Sequence, residues 1–237
     1  MINHTKNHKL KRELKKLIKI KRHKHHPLLH RIHKKHGISH KTLFYIKEYG
    51  AHSHVINVIM KESILILILA TLMSAFGGIA LEKMKEIFLI IIPFVILYPT
   101  LNGMIGSYGS IISSKFGTML HQGKVKDGWW TNKELRKLYY QLITIALGTG
   151  ILSSTVAIII AYFSKYVITS IIILKIYGIV LLDVFILVNI LFTISIYAGR
   201  YYFKHQEDPN NFLVPLATAI ADLGNGLILA GLIFLLF

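Results

Sequence analysis

Thr218, Asp222 and Asn225 stand four and three residues apart in the apolar stretch 212–237, so they share one face of a helix. An acid that deep in a bilayer costs about 2.5 kcal/mol or more, and such residues mark ion paths or proton relays. A stripe of carboxylate, hydroxyl and amide oxygens on an oily helix suits a hard cation, which takes oxygen ligands. The competing role is packing glue, in which Asp222 bonds a neighbouring helix or stays protonated. Glue, however, is usually built from uncharged Ser, Thr or Asn. The stripe points to an ion pathway centred on Asp222.

A second stretch supplies a different kind of surface. After Pro93 and Pro99, the residues Gly103, Gly106, Ser107, Ser110, Ser113, Ser114 and Gly117 recur at three-to-four spacing. Small residues at that spacing let another backbone come close. Where they line a cavity they also leave carbonyls and hydroxyls open to an ion, which makes Asn102, Gly106, Ser107 and Ser110 candidates beside the Asp222 stripe. Asp183 is a second acid inside an apolar run, either paired with Lys175 or part of an outer cation site. Glu82 and Glu86 fall at the expected outer mouth. Asp183 and Glu82 would be the coupling sites if Na⁺ or H⁺ exchange drives transport.

The elements that carry these residues are membrane helices. The chain of 237 residues is 53% hydrophobic with mean hydropathy +0.52 and formal charge +17, a combination foreign to soluble domains. Charge is segregated: residues 1–62 hold sixteen Lys and Arg against three Glu, thirteen of the seventeen net positive charges. Five spans account for the apolar stretches, at 63–81, 87–114, 138–163, 177–202 and 212–237. Residues 166–176 are apolar but interrupted by Lys175, and would extend the third span, form a re-entrant piece or raise the count to six. The fold class expected is an all-α membrane protein, residues 63–237, behind a basic segment, residues 1–62. Lys and Arg concentrate before the first span and in the second and fourth connections, which sets the N-terminus in the cytoplasm and the C-terminus outside. The membrane expected is the cytoplasmic one.

The basic start is far longer than the charged region of a signal peptide and has no cleavage pattern, so it reads as a retained cytoplasmic segment. Leu10, Leu14, Leu17 and Ile18 recur between lysines, an amphipathic pattern that would set Lys11, Lys15, Lys19 and Arg22 on anionic headgroups. Pro27 breaks this helix and a second short helix follows. Histidines crowd here (His23, His25, His26, His30, His33, His36, His40), without a regular zinc pattern. An alternative class is a membrane-anchored protein whose basic arm binds nucleic acid or anionic lipid; deleting residues 1–40 would decide it. The tract lacks interleaved aromatics, so nucleic acid is the weaker partner. With no Cys, disulfides, thiolate metal sites and thiol nucleophiles are excluded. No nucleophile elbow, phosphate-cradling loop or paired catalytic carboxylate appears, so an enzyme is not expected.

Two stretches carry a resemblance. Residues 207–222, with Asp208-Pro209 leading through Pro215 to Asp222, resemble the last-helix signature of the MgtE-type magnesium channels and of solute carrier family 41. Residues 99–123, ending in Leu120-His121-Gln122-Gly123, look like that family's other signature. The resemblance implies a five-helix membrane domain that forms a homodimer, with a pore between the copies lined by helices two and five. It implies that Asp222 binds the ion, expected to be Mg²⁺, and that Thr218 helps line the site. The sequence departs from the pattern in having Gly106-Ser107 for a glycine-asparagine pair and Val214 before the last-helix proline. Residues 1–62 are basic and too short to be an MgtE-type acidic regulatory domain. Two Asp222 carboxylates across a twofold axis would match the charge of one divalent ion, and Mg²⁺ keeps several waters and needs only one or two carboxylates.

Overall fold

The structure is a computed structural model that describes residues 10, 12–14, 16, 17, 27–39, 42, 43, 46, 55–125, 131–205 and 207–237. Its helices are α1 (Pro27–His36), α2 (Val55–Ile90), α3 (Ile92–His121), α4 (Lys133–Phe163), α5 (Ser170–Lys204) and α6 (Pro209–Leu236). No strand occurs among the described residues.

The expected five long helices, α2 to α6, are present. Four of them, within α2 (Glu62–Lys83) and in α4, α5 and α6, are long and apolar enough to cross a bilayer by length and composition. The exception is α3, whose apolar content is diluted by Pro99, Asn102 and the Gly/Ser stripe. It lies against α4, α5 and α6, so much of its surface meets protein rather than lipid. Large apolar side chains such as Leu72, Phe76, Leu152, Phe185 and Phe234 stand on the outside of the bundle. An apolar exterior of this extent belongs in a bilayer, and the chain is a multi-pass membrane protein.

The starts of the helices are written locally. Asp208 caps α6 by accepting from the Asn210 N–H at 3.0 Å, with Pro209 at the first helical position, where a missing N–H costs nothing. Asn132 caps α4, accepting from Glu134 N–H at 3.0 Å and Leu135 N–H at 3.2 Å, and donates to the Lys124 carbonyl at 2.7 Å. Replacing Asn132 by Ala should cost about 1 kcal/mol. It should lower the midpoint of thermal unfolding in detergent and speed amide exchange in the first turn of α4. An unchanged exchange pattern there would count against the cap.

Packing places α6 at the centre. It lies against α2, α3 and α5, whereas α4 is held on the far side by α3 and α5. Phe94, Leu97, Leu101, Ile105, Ile112 and Phe116 of α3 interlock with Val180, Val184, Leu187 and Leu191 of α5 and with Leu229 and Ile233 of α6. Hydrogen bonds fix α4 to its neighbours: Tyr108 to Thr149, Tyr139 Oη to Asn189 Oδ1 at 2.8 Å, and Thr155 to Tyr177 at 2.7 Å. Such bonds keep their value in a bilayer, where water does not compete.

Several expectations are corrected. Residues 170–176 neither extend the third span nor form a re-entrant piece or a sixth span; they are the first turns of α5. Thr169 caps that helix, accepting from Ile172 N–H at 3.4 Å. Lys175 does not break it, because its ammonium stands 4.7 Å from the centre of the Phe237 ring, a contact open to a cation at an apolar helix end. The first span lies where it was expected, residues 63–81 falling within Glu62–Lys83 of a helix described from Val55.

At the basic end, the described residues from 10 to 17 are helical. Leu17 is fully buried against Ile32 and Leu43, and Leu10 and Leu14 pack on the same cluster. The apolar stripe expected to meet lipid is thus largely used inside the segment itself. Lys11, Lys15, Lys19 and Arg22 lie outside the described residues, as do Ile18, His23, His25, His26 and His40. Glu13 bonds Lys35 at 2.7 Å and His36 at 3.1 Å, and the Lys35 bond holds its carboxyl below the usual carboxylate range. His36 is engaged there, and no group of three or more metal-ligating side chains occurs among the described residues.

Candidate ion pathway

The pathway candidates lie on α3 and α6. Asp222 sits at mid-helix, half-buried, and accepts a 2.8 Å hydrogen bond from the Ser74 hydroxyl of α2. No cationic side chain pairs with it among the described residues. A neutral donor orients a carboxylate without placing a countercharge beside it.

Helix contact brings Ser74 there. A Cβ on Gly77 would lie 2.9 Å from the Asp222 carbonyl oxygen and 3.1 Å from the Leu223 Cα, and a Cβ on Gly226 would lie 3.1 Å from the Gly77 carbonyl oxygen. Backbone therefore meets backbone where α2 crosses α6, in the manner of small-residue packing in membranes. Ser74 stands one turn before Gly77 and falls beside the acid. Sequence reasoning missed Ser74. Its only signal was the run Ser74-Ala75-Phe76-Gly77-Gly78 in an otherwise bulky span.

The stripe on α6 does not act as one unit. Thr218 is exposed and its hydroxyl donates to the Val214 carbonyl at 3.2 Å. Asn225 is fully buried; its amide donates to Asn102 Oδ1 and, at 3.4 Å, to the Tyr98 carbonyl. Asn225 Oδ1 is buried with no hydrogen-bond partner. So Asn102 and Asn225 brace α3 to α6, whereas Asp222 faces α2 and Thr218 is exposed.

On α3 the small residues divide likewise. Gly109 and Gly117 permit close packing: a Cβ there would meet Ala217 Cβ at 2.6 Å and Asn210 Oδ1 at 2.9 Å. Gly103 faces open space, a Cβ on Gly106 would come only within 4.0 Å of Ala221 Cβ, and Ser107 is exposed. Ser107 donates to the Gly103 carbonyl at 2.7 Å and Ser110 to the Gly106 carbonyl at 3.1 Å. These back-bonds spend each hydroxyl's proton and leave its oxygen able to accept from a hydrated ion. The packing reading of the stripe holds at Gly109 and Gly117, while Gly103 and Ser107 stand exposed on the other side of the helix.

The other acids have different settings. Asp183 is fully buried in α5, and neither of its carboxyl oxygens has a hydrogen-bond partner. It does not pair with Lys175, which is over Phe237. Glu82 is exposed and bonds Lys85 at 3.0 Å, and Glu86 is exposed.

No curated protein and no solved structure matches the chain. The model of the MgtE family, described as divalent cation transporter, matches residues 98–232, more than half of the chain. That match runs from Tyr98 through the Asn102–Asn225 brace and past Asp222, and the chain belongs to the MgtE family of divalent cation transporters.

Proposed function

We propose that this chain is a homodimeric Mg²⁺ channel or transporter whose pathway lies between two copies, with the two Asp222 carboxylates holding one partly hydrated ion. The carrying observation is the half-buried Asp222, oriented by the neutral Ser74 hydroxyl and paired with no cation among the described residues. Thr218, Gly106, Ser107 and Ser110 line the passage, and Asn102 with Asn225 holds the two lining helices in register. The small, outward-facing residues Gly103 and Ser107 leave room for a second copy's backbone. Lysine and arginine distribution supports a cytoplasmic N-terminus, an external C-terminus and insertion in the cytoplasmic membrane.

A second reading, transport of the divalent ion coupled to H⁺ or Na⁺, draws on one observation. Asp183 is wholly buried and both its oxygens lack a partner, so it needs a proton or a cation to persist there. Glu82, exposed and bonded to Lys85, has no such need.

Purified protein in liposomes loaded with a divalent-ion indicator tests both. Mg²⁺ should enter faster than Ca²⁺, with Mn²⁺ and Co²⁺ compared alongside, and at rates independent of an opposing pH or Na⁺ gradient. Mg²⁺ entry no faster than leak sinks the Mg²⁺ assignment. A rate that follows the pH gradient, and loses that dependence in Asp183→Asn, establishes coupling instead.

A further inference from the structure

A groove of about 570 Å³ runs between α3 and α4, walled by Lys115, Ile111 and Tyr108 on one side and by Leu138, Gln141 and Ile145 on the other. The Tyr108–Thr149 hydrogen bond closes its deep end and fixes the antiparallel register of the two helices. Counting outward from that bond sets Ile111 near the level of Ile145 and Lys115 near that of Gln141. Lys137 stands one turn before Gln141, at the mouth. Polarity therefore changes along the groove, from two ammonium groups through an amide to apolar side chains.

These groups are open to a ligand. Lys115, Lys137 and Gln141 are exposed, and their side chains have no ion-pair or hydrogen-bond partner among the described residues. Glu134 is the only acid in either helix, and it faces Lys124 at 3.5 Å. Lys115 lies six residues before the end of α3, beyond the last turn in which the negative pole of a helix acts, and α4 presents its positive pole at the same end. Tyr140 is exposed at the lip, its ring 5.5 Å from that of Tyr139. Tyrosines in such a position mark the headgroup level of a bilayer.

We propose that this groove selects an anionic phospholipid, with its phosphate on Lys115 and Lys137 and one acyl chain along Ile111 and Ile145. The order of chemistry along the groove is the order along such a lipid: charge, then polar ester and glycerol oxygens, then hydrocarbon. The Gln141 amide and the Tyr140 hydroxyl meet the polar middle. Lysine stems lie along apolar surface while their ammonium groups reach the headgroup plane, where basic pockets between membrane helices gather anionic lipid. Lipid of some kind touches this wall in any bilayer, and the two lysines add a choice of headgroup. The inference rests neither on the transported ion nor on the dimer.

The chain has no Cys, so Thr144→Cys gives a single attachment point for a fluorophore in the groove. The labelled full chain is placed in liposomes whose brominated, quenching lipid is either phosphatidylglycerol or phosphatidylcholine at equal mole fraction. Brominated phosphatidylglycerol should quench with an apparent affinity about fivefold or more above that of phosphatidylcholine. That preference should vanish in Lys115→Gln/Lys137→Gln, fall in part in Lys115→Gln and survive in Lys115→Arg. It should also survive in Lys204→Gln, which removes an exposed charge on α5 at the same end of the bundle. Equal quenching by the two lipids overturns the proposal, and so does an equal loss in Lys204→Gln and Lys115→Gln, the mark of diffuse attraction. Quenching by neither lipid shows that protein, a second copy included, covers the groove, and overturns it as well. If the double variant does not fold, Lys115→Gln against Lys204→Gln still decides.

Discussion

Asp222→Asn and Asp222→Ala should each cut divalent-cation flux into liposomes by about 100-fold or more while the protein still assembles as in wild type. Asp222 is the only acid in α6, so either change removes the sole formal negative charge that helix offers the ion. At about 4 Å and an effective dielectric near 20, one unit charge on each side is worth about 4 kcal/mol. On the proposed pathway, a divalent ion held between two such carboxylates would lose several factors of ten in affinity when both are neutralised. Asn preserves shape and still accepts the Ser74 bond, so its effect isolates charge from packing. Ser74→Ala, which keeps the carboxylate and removes its guide, should lower flux less than tenfold. Flux in Asp222→Asn within about threefold of wild type, at equal protein incorporation, would remove Asp222 from the pathway.

Gly77→Val should be the most damaging single change to stability in the first long helix. Its Cβ would stand 2.9 Å from the Asp222 carbonyl oxygen and 3.1 Å from the Leu223 Cα. Both are backbone atoms that cannot rotate aside, so α2 must back away from α6. Forcing extra carbons into a close-packed contact costs about 1–3 kcal/mol, and here the shift also withdraws Ser74 from Asp222. A clear fall in unfolding midpoint together with reduced flux is expected. Gly78→Ala, one residue on and facing open space, should be neutral. Equal midpoints for Gly77→Val and Gly78→Ala would show that the crossing is loose.

The long helices were legible because hydropathy over some twenty residues is a strong signal, and Asp222 because an acid in such a run is costly. Other features depend on which helix meets which. Hydropathy contains no register between α2 and α6, 148 residues apart at the Ser74–Asp222 bond. Lys175 read as an interruption because its charge was counted without the Phe237 ring that receives it. Helical spacing put Asn225 with Asp222, and they do share a face. The face is wide enough, however, that Asn225 reaches α3 and Asp222 reaches α2. At the basic end, the Leu10–Leu14–Leu17 period was correct as a period. It did not reveal that Ile32 and Leu43 would cover it.

The long helix α2 leans on α6 and barely touches α3. It is continuous from Val55 to Ile90, so Ser74 lies about 28 Å along a stiff rod from its first turn. At the Gly77–Gly226 crossing the two main chains are too close to slide without disturbing one another. A displacement of α2 along its own axis is thereby delivered to the carboxylate's own stretch of α6.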